Sequence, residues 1–224
     1  MFIGHYSAAF VAAAHPKAPK LGTLFVAAQL VDIAFFSFVL LGIEHVRIVP
    51  GFTAMNPMDL YDMPWTHSLI GSLAWAAAFG GAIFAVTRSR IAGLLGTLVV
   101  LSHWLLDVFV HTKDMTLAGG AKFGLGLWNQ PAIEMPLEIA LTLGAALVYA
   151  RATKPVGTGW ALAALLAFLL AIQAFNWFGP QPTALDPSFS IMGLVGYAAA
   201  AGLAALVAAK RTHRIAQVRL RPRR

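Results

Sequence analysis

Long apolar stretches separated by short polar breaks run along most of the 224 residues. Six of them, at 21–43, 65–86, 91–111, 131–150, 157–178 and 189–209, approach or exceed the roughly 20 residues a helix needs to cross a bilayer. None has the period-two alternation of barrel strands, so helices are the predicted spanning element. A shorter apolar stretch, 2–14, precedes them. As a helix it covers about 20 Å, less than the roughly 30 Å hydrocarbon core. It is predicted either to cross as a short seventh span or to insert part-way. The fold class is therefore all-α: a polytopic transmembrane helical bundle of six strong spans plus a short N-terminal membrane-inserted helix. Residues 1–209 are expected to form one transmembrane domain and 210–224 a basic cytoplasmic tail. The start lacks the basic n-region of a cleavable signal peptide and reads as mature sequence.

Composition agrees. Hydrophobic residues make up 59% and charged residues 11%, with a mean hydropathy of +0.74; soluble domains carry about 25% charged residues. Cysteine is absent, which excludes disulfides, thiolate metal sites and cysteine nucleophiles. The net charge of +7 reflects topology rather than nucleic-acid binding. Of the 16 Lys and Arg residues, only Arg47, Lys113 and Lys122 fall on one side of the predicted bundle. The others flank the spans on the opposite side: Lys17, Lys20, Arg88, Arg90, Arg151, Lys154, Lys210, Arg211, Arg214, Arg219, Arg221, Arg223 and Arg224. The positive-inside rule makes that side cytoplasmic and puts the C-terminus inside. Membrane lipids are the expected partners of the basic tail. The outer loops, 44–64, 112–130 and 179–188, are rich in Gly, Pro and aromatics. Trp65, Trp128 and Trp177 read as an interfacial belt there. No internal repeat is visible, which weakens the case for a transporter built from repeated halves.

The rare polar residues in the spans carry the chemistry. Asp32 lies near the centre of the first strong span, where an ionised carboxylate costs about 2.5–3.5 kcal/mol and calls for a cation, a proton or a hydrogen-bond partner. His103, Asp107 and His111 are spaced i, i+4, i+8 and form one helical stripe. Adjacent members can share a metal ion; all three reach the same ion only if the helix breaks. His111 is the outermost and reads equally well as an interfacial residue. His67, flanked by Thr66 and Ser68, opens the preceding antiparallel span at the same depth. His5 joins that layer if 2–14 inserts deeply. Glu134 and Glu138 open the fourth span. The first suits a helix N-terminus. The second reads as a metal ligand, a general base, or the partner of Lys122 or Arg47. Glu44 and His45 read as surface residues. Asp32, His67, His103 and Asp107, with His5 as a fifth, form the predicted metal site. Imidazole and carboxylate together suit zinc or another first-row divalent ion. Asp107 and Glu138 are the expected catalytic groups.

An early His5, Asp32 in the next hydrophobic segment, the triplet Thr66-His67-Ser68, and Ser102-His103 followed by Asp107 together give a recognisable order. It resembles the LexA-regulated, membrane-bound metal-dependent hydrolase family of small bacterial inner-membrane proteins. The resemblance covers roughly residues 1–150. The segment around Asp32 lacks the second acidic residue and the prolines of that pattern, and His111 stands where a Thr is typical. The resemblance implies a compact helical membrane domain, a divalent metal and hydrolysis. Three functions are consistent with the residues: a metal-dependent hydrolase acting on an amphiphilic or lipid-like substrate, a proton or metal-ion transporter, and a non-catalytic membrane subunit.

Overall fold

In the computed structural model, which describes residues 1–214, the first apolar stretch is a 3-10 turn (Ile3–His5) followed by α1 (Tyr6–Ala13). Eight helical residues are too few to span, and Tyr6, Ala9 and Phe10 are fully buried among the other helices. The half-inserted form is thus the one adopted. The C-terminal end of α1 meets the basic end of the bundle, where the Ala13 carbonyl lies 3.0 Å from Nε2 of His213. Its N-terminal end stops inside the bundle.

The first strong span is not one helix. It divides into α2 (Leu21–Ala28) and α3 (Leu30–Leu41), bent by 53° at Gln29. The Gln29 side chain is buried and donates to the Phe2 carbonyl at 3.0 Å, tying the break to the N-terminal segment. Asp32 consequently lies in the first turn of α3 rather than in the middle of a continuous helix. Backbone N–H groups there lack helical partners and the helix dipole favours an anion.

The remaining spans are α4 (Leu69–Thr87), α5 (Arg90–Val110), α6 (Pro131–Ala152), α7 (Trp160–Phe178) and α8 (Pro187–Ala209). Among the described residues, five helices are long and apolar enough to cross a membrane, and six spans result if α2 and α3 count as one. Large apolar side chains such as Ile70, Val86, Phe175 and Val195 stand exposed on their outer faces, as lipid contact requires. The chain is an integral membrane protein with an all-α bundle. Ser68 caps α4 by accepting from the Gly71 N–H at 3.0 Å, which starts that helix after His67. Glycines let α4 and α5 approach closely: a Cβ on Gly80 would stand 2.8 Å from the Gly93 carbonyl, and one on Gly93 3.0 Å from the Gly80 carbonyl.

Among the described residues, three short antiparallel two-stranded sheets close the ends. β1 (His45–Ile48) pairs with β2 (Met58–Asp62), and β3 (Met115–Thr116) with β4 (Lys122–Phe123), at the end away from the basic residues. Val46, Met55, Leu60, Met115 and Trp128 pack beneath them in a second apolar core. Trp128 is therefore buried rather than part of an interfacial belt, whereas Trp65 is exposed. At the basic end, β5 (Thr153–Pro155) pairs with β6 (Arg211–His213). The first residues of the expected tail are thus ordered against the bundle. Arg219, Arg221, Arg223 and Arg224 lie outside the described residues.

Candidate metal centre

Four elements deliver six polar side chains to one buried point. The 3-10 turn brings His5, α3 brings Asp32, the turn before α4 brings His67, and α5 brings His103 and Asp107. His111 follows directly, because α5 ends at Val110 and His111 is already extended. That is the helix break the i, i+8 spacing demanded. All five residues predicted as metal ligands converge. His111 joins them, 3% exposed rather than interfacial.

Each carboxylate oxygen has a defined role. Asp32 Oδ2 accepts from the Tyr197 hydroxyl at 3.1 Å. Its Oδ1 lies 3.3 Å from His67 Nε2 and 3.4 Å from His103 Nε2. Asp107 Oδ2 lies 3.0 Å from His103 Nε2 and 3.7 Å from His67 Nε2. Asp107 Oδ1 faces the other way, 3.0 Å from His5 Nε2, 3.7 Å from His111 Nε2 and 3.0 Å from the Met1 amine.

The protons on the histidines follow from their outer partners. His103 Nδ1 lies 2.8 Å from the Ala28 carbonyl, a pure acceptor exposed by the end of α2. Nδ1 therefore carries a hydrogen, and in the neutral ring Nε2 is left as a lone pair. His111 Nδ1 likewise donates to Asp114 Oδ1 at 3.0 Å. His67 Nδ1 lies 2.8 Å from the Thr66 hydroxyl, which gives its single proton to Glu44 Oε2 at 2.6 Å. Glu44 Oε1 accepts the backbone N–H groups of Trp65 and Thr66 at 2.7 and 2.9 Å, as an ionised carboxylate does. Thr66 must then accept from His67, whose Nε2 is also a lone pair. These are the outer contacts that orient metal-binding imidazoles.

Acceptor atoms thus point at acceptor atoms. Among the described residues His103 Nε2 and Asp107 Oδ2 are buried without a hydrogen-bond partner, an arrangement that costs several kcal/mol unless a proton or a metal ion lies between them. The separations fit a cation: ligands bound tetrahedrally at about 2.0–2.2 Å lie about 3.3 Å from one another. The ligand atoms of His67, His103 and Asp107 lie within 4.8 Å of one another, as do those of His5, Asp32 and His103. The residues therefore fit a divalent metal.

Several neighbours differ from expectation. Glu44 is completely buried and serves His67, whereas His45 is exposed and pairs with Asp62 at 2.7 Å. Arg47 bonds Asp59 and Lys122 the Tyr61 carbonyl, so neither meets Glu138. Glu138 Oε1 accepts from the N–H groups of Phe2 and Gly4 at 2.5 and 2.9 Å, and Oε2 from Gln173 Nε2 at 3.1 Å. Gln173 Oε1 in turn accepts from the Ile3 N–H at 3.3 Å. The pair grips the backbone that carries His5. Glu134, in the first turn of α6, is buried with neither oxygen hydrogen-bonded. An open apolar groove of about 680 Å³ beside Trp65, Ile70 and Trp75 contains none of the cluster residues.

Of the six, Asp32 is the most accessible, its side chain 16% exposed where α3 faces Tyr197 of α8; the others are at most 4% exposed. On α2, α5 and α7, Phe25, Val99, Val100, Leu165 and Leu169 belong to one buried apolar core between the basic end and the depth of His103. Fold and cluster together define a helical membrane protein with a buried His/Asp cluster placed to hold a metal ion. Family models, curated proteins and solved structures give no match to this chain.

Proposed function

We propose that the protein is a zinc-dependent hydrolase of a bacterial inner membrane, related to the LexA-regulated membrane-bound metal-dependent hydrolases, with its C-terminus cytoplasmic. The observation that carries this reading is the convergence of the Nε2 lone pairs of His67 and His103 on Asp32 Oδ1 and Asp107 Oδ2 at 3.0–3.7 Å. Those four atoms would hold the ion. A bound divalent ion supplies Lewis acidity and an activated water nucleophile at neutral pH. The chain's own groups do the rest. Glu44 and Thr66 fix the tautomer of His67. The Ala28 carbonyl fixes that of His103. Tyr197 holds the accessible Asp32. Glu138, engaged by backbone N–H groups and Gln173, acts as a positioning residue for His5.

Asp32, the accessible member of the cluster, faces Tyr197 of α8, and this side suits an amphiphilic or lipid-like substrate arriving laterally, with its cleavable group at the depth of the cluster. The apolar packing toward the basic end favours hydrolysis over ion transport, which needs a polar path through that layer.

The test begins with metal analysis of the purified chain alongside His103→Ala and Asp107→Ala. Stoichiometric zinc in the wild type, lost in both variants, is expected. The metal-loaded protein is then assayed against detergent-dispersed carboxylic and phosphoric esters. Zinc without turnover, together with zinc or proton flux in liposomes, overturns the hydrolase in favour of a transporter.

A further inference from the structure

We infer that the cluster holds two divalent ions bridged by Asp107, the second bound by His5 and His111. This rests on the metal-centre reading above and extends it. Asp32 Oδ1, His67 Nε2, His103 Nε2 and Asp107 Oδ2 are enough to hold one zinc ion. Two buried histidines remain, and both face the opposite oxygen of the same carboxylate, His5 Nε2 at 3.0 Å and His111 Nε2 at 3.7 Å from Oδ1.

His5 is not explained as a hydrogen-bonded core residue, and His111 is hydrogen-bonded through Nδ1 alone. His5 is 1% exposed, and neither ring nitrogen has a hydrogen-bond partner. His111 gives its Nδ1 hydrogen to Asp114, so in the neutral ring the atom turned to Asp107 is a lone pair facing a carboxylate. Asp114 is itself buried and is oriented by the Thr112 hydroxyl at 3.2 Å. His111 is therefore held from behind as His67 is held by Thr66 and Glu44. Positive charge suits this side of the carboxylate, since the Met1 amine stands 3.0 Å from the same oxygen.

Geometry sets the spacing. The rings of His5 and His103 are stacked, 3.7 Å between centroids and 9° from parallel. Their Nε2 atoms address the two different oxygens of Asp107. Ions bound to two such stacked rings stand side by side at about the ring separation, and paired catalytic metals lie about 3.5–4 Å apart. The two oxygens of one carboxylate can bridge such a pair.

The experiment uses the full chain in detergent, stripped with a chelator and reloaded with zinc alone or manganese alone. Elemental analysis is expected to give two zinc ions per chain, falling to one in His111→Ala. Manganese-loaded wild type is expected to show the broadened, multi-line spectrum of an exchange-coupled pair by electron paramagnetic resonance, a measurement that needs no variant to fold. One ion per chain, an uncoupled manganese signal and no effect of His111→Ala overturn the two-ion centre. They leave the single-metal reading intact and assign the Oδ1 side to the Met1 amine. No bound ion at all overturns both.

Discussion

The Thr66 hydroxyl donates to Oε2 of Glu44 at 2.6 Å and has only a lone pair left for His67, 2.8 Å away. This fixes which His67 nitrogen faces the cluster. Thr66→Val keeps the shape and removes the relay. Zinc affinity is expected to fall about 10–100-fold, the usual effect of losing an outer-shell partner, read by competition with a chromophoric chelator. Asp62→Asn, which breaks the exposed pair with His45, is the control and leaves affinity unchanged. Wild-type affinity in Thr66→Val would remove the relay from the site.

Crowded acceptors make the bundle's stability depend on metal. A ligand that binds only the folded state stabilises it by about 2.7 kcal/mol at 100 times its Kd, so zinc is expected to raise the Tm and a chelator to lower it. Asp32→Asn separates repulsion from binding. Its amide oxygen can still accept from Tyr197, while its NH2 can donate to a lone pair of His67 or His103. The metal-free variant is expected to melt above the metal-free wild type and to gain less on adding zinc. Thermal unfolding in detergent, with and without chelator, measures both. A metal-free variant that melts lower would show that these lone pairs are not in conflict.

The stripe His103, Asp107 and His111 was legible because helical spacing alone puts i and i+4 on one face. Asp32, His67 and His5 were legible as a layer because polar residues in apolar spans are rare and their depths can be compared. Glu44 was not legible. It precedes Thr66 by 22 residues, and only the β1–β2 hairpin returns the chain to place them together. The Ala28 carbonyl has no sequence signal, since every residue has one and the bend at Gln29 decides which is free. Asp114 and Tyr197 act through contacts that no periodicity encodes. For Glu138 the fourth span and its depth were readable. Its partners were not, because they are backbone N–H groups of a segment 134 and 136 residues away.

The α4–α5 hairpin that positions His103 and Asp107 depends on one glycine and not on its neighbour. A Cβ on Gly80 would meet the Gly93 carbonyl at 2.8 Å and collide with the Thr97 hydroxyl, whereas one on Gly81 meets nothing within 4 Å. Gly80→Ala is expected to destabilise by about 1–3 kcal/mol, the range for overpacking. Gly81→Ala should be neutral or slightly stabilising, since Ala restricts the unfolded chain more than Gly. Unfolding by titrating sodium dodecyl sulfate into mixed micelles compares them directly. Equal stability of the two variants would mean that the helices are free to slide apart.

The last prediction concerns how His5 is held. Glu138 and Gln173 share three backbone N–H groups of the N-terminal segment and bond each other at 3.1 Å. Glu138→Ala strands two buried N–H groups, and Gln173→Ala strands one. An unsatisfied buried donor costs about 1–3 kcal/mol, so each single variant should be clearly destabilised. Because the two side chains also orient each other, the double variant should be less destabilised than the sum, with a coupling of about 0.5–3 kcal/mol. Both single variants should also weaken metal binding while retaining His67, His103 and Asp107 as ligands. Chelator competition and unfolding on the same preparations test this together. If Glu138→Ala keeps wild-type stability and metal affinity but loses turnover, Glu138 acts on the reacting groups and is not a positioning residue.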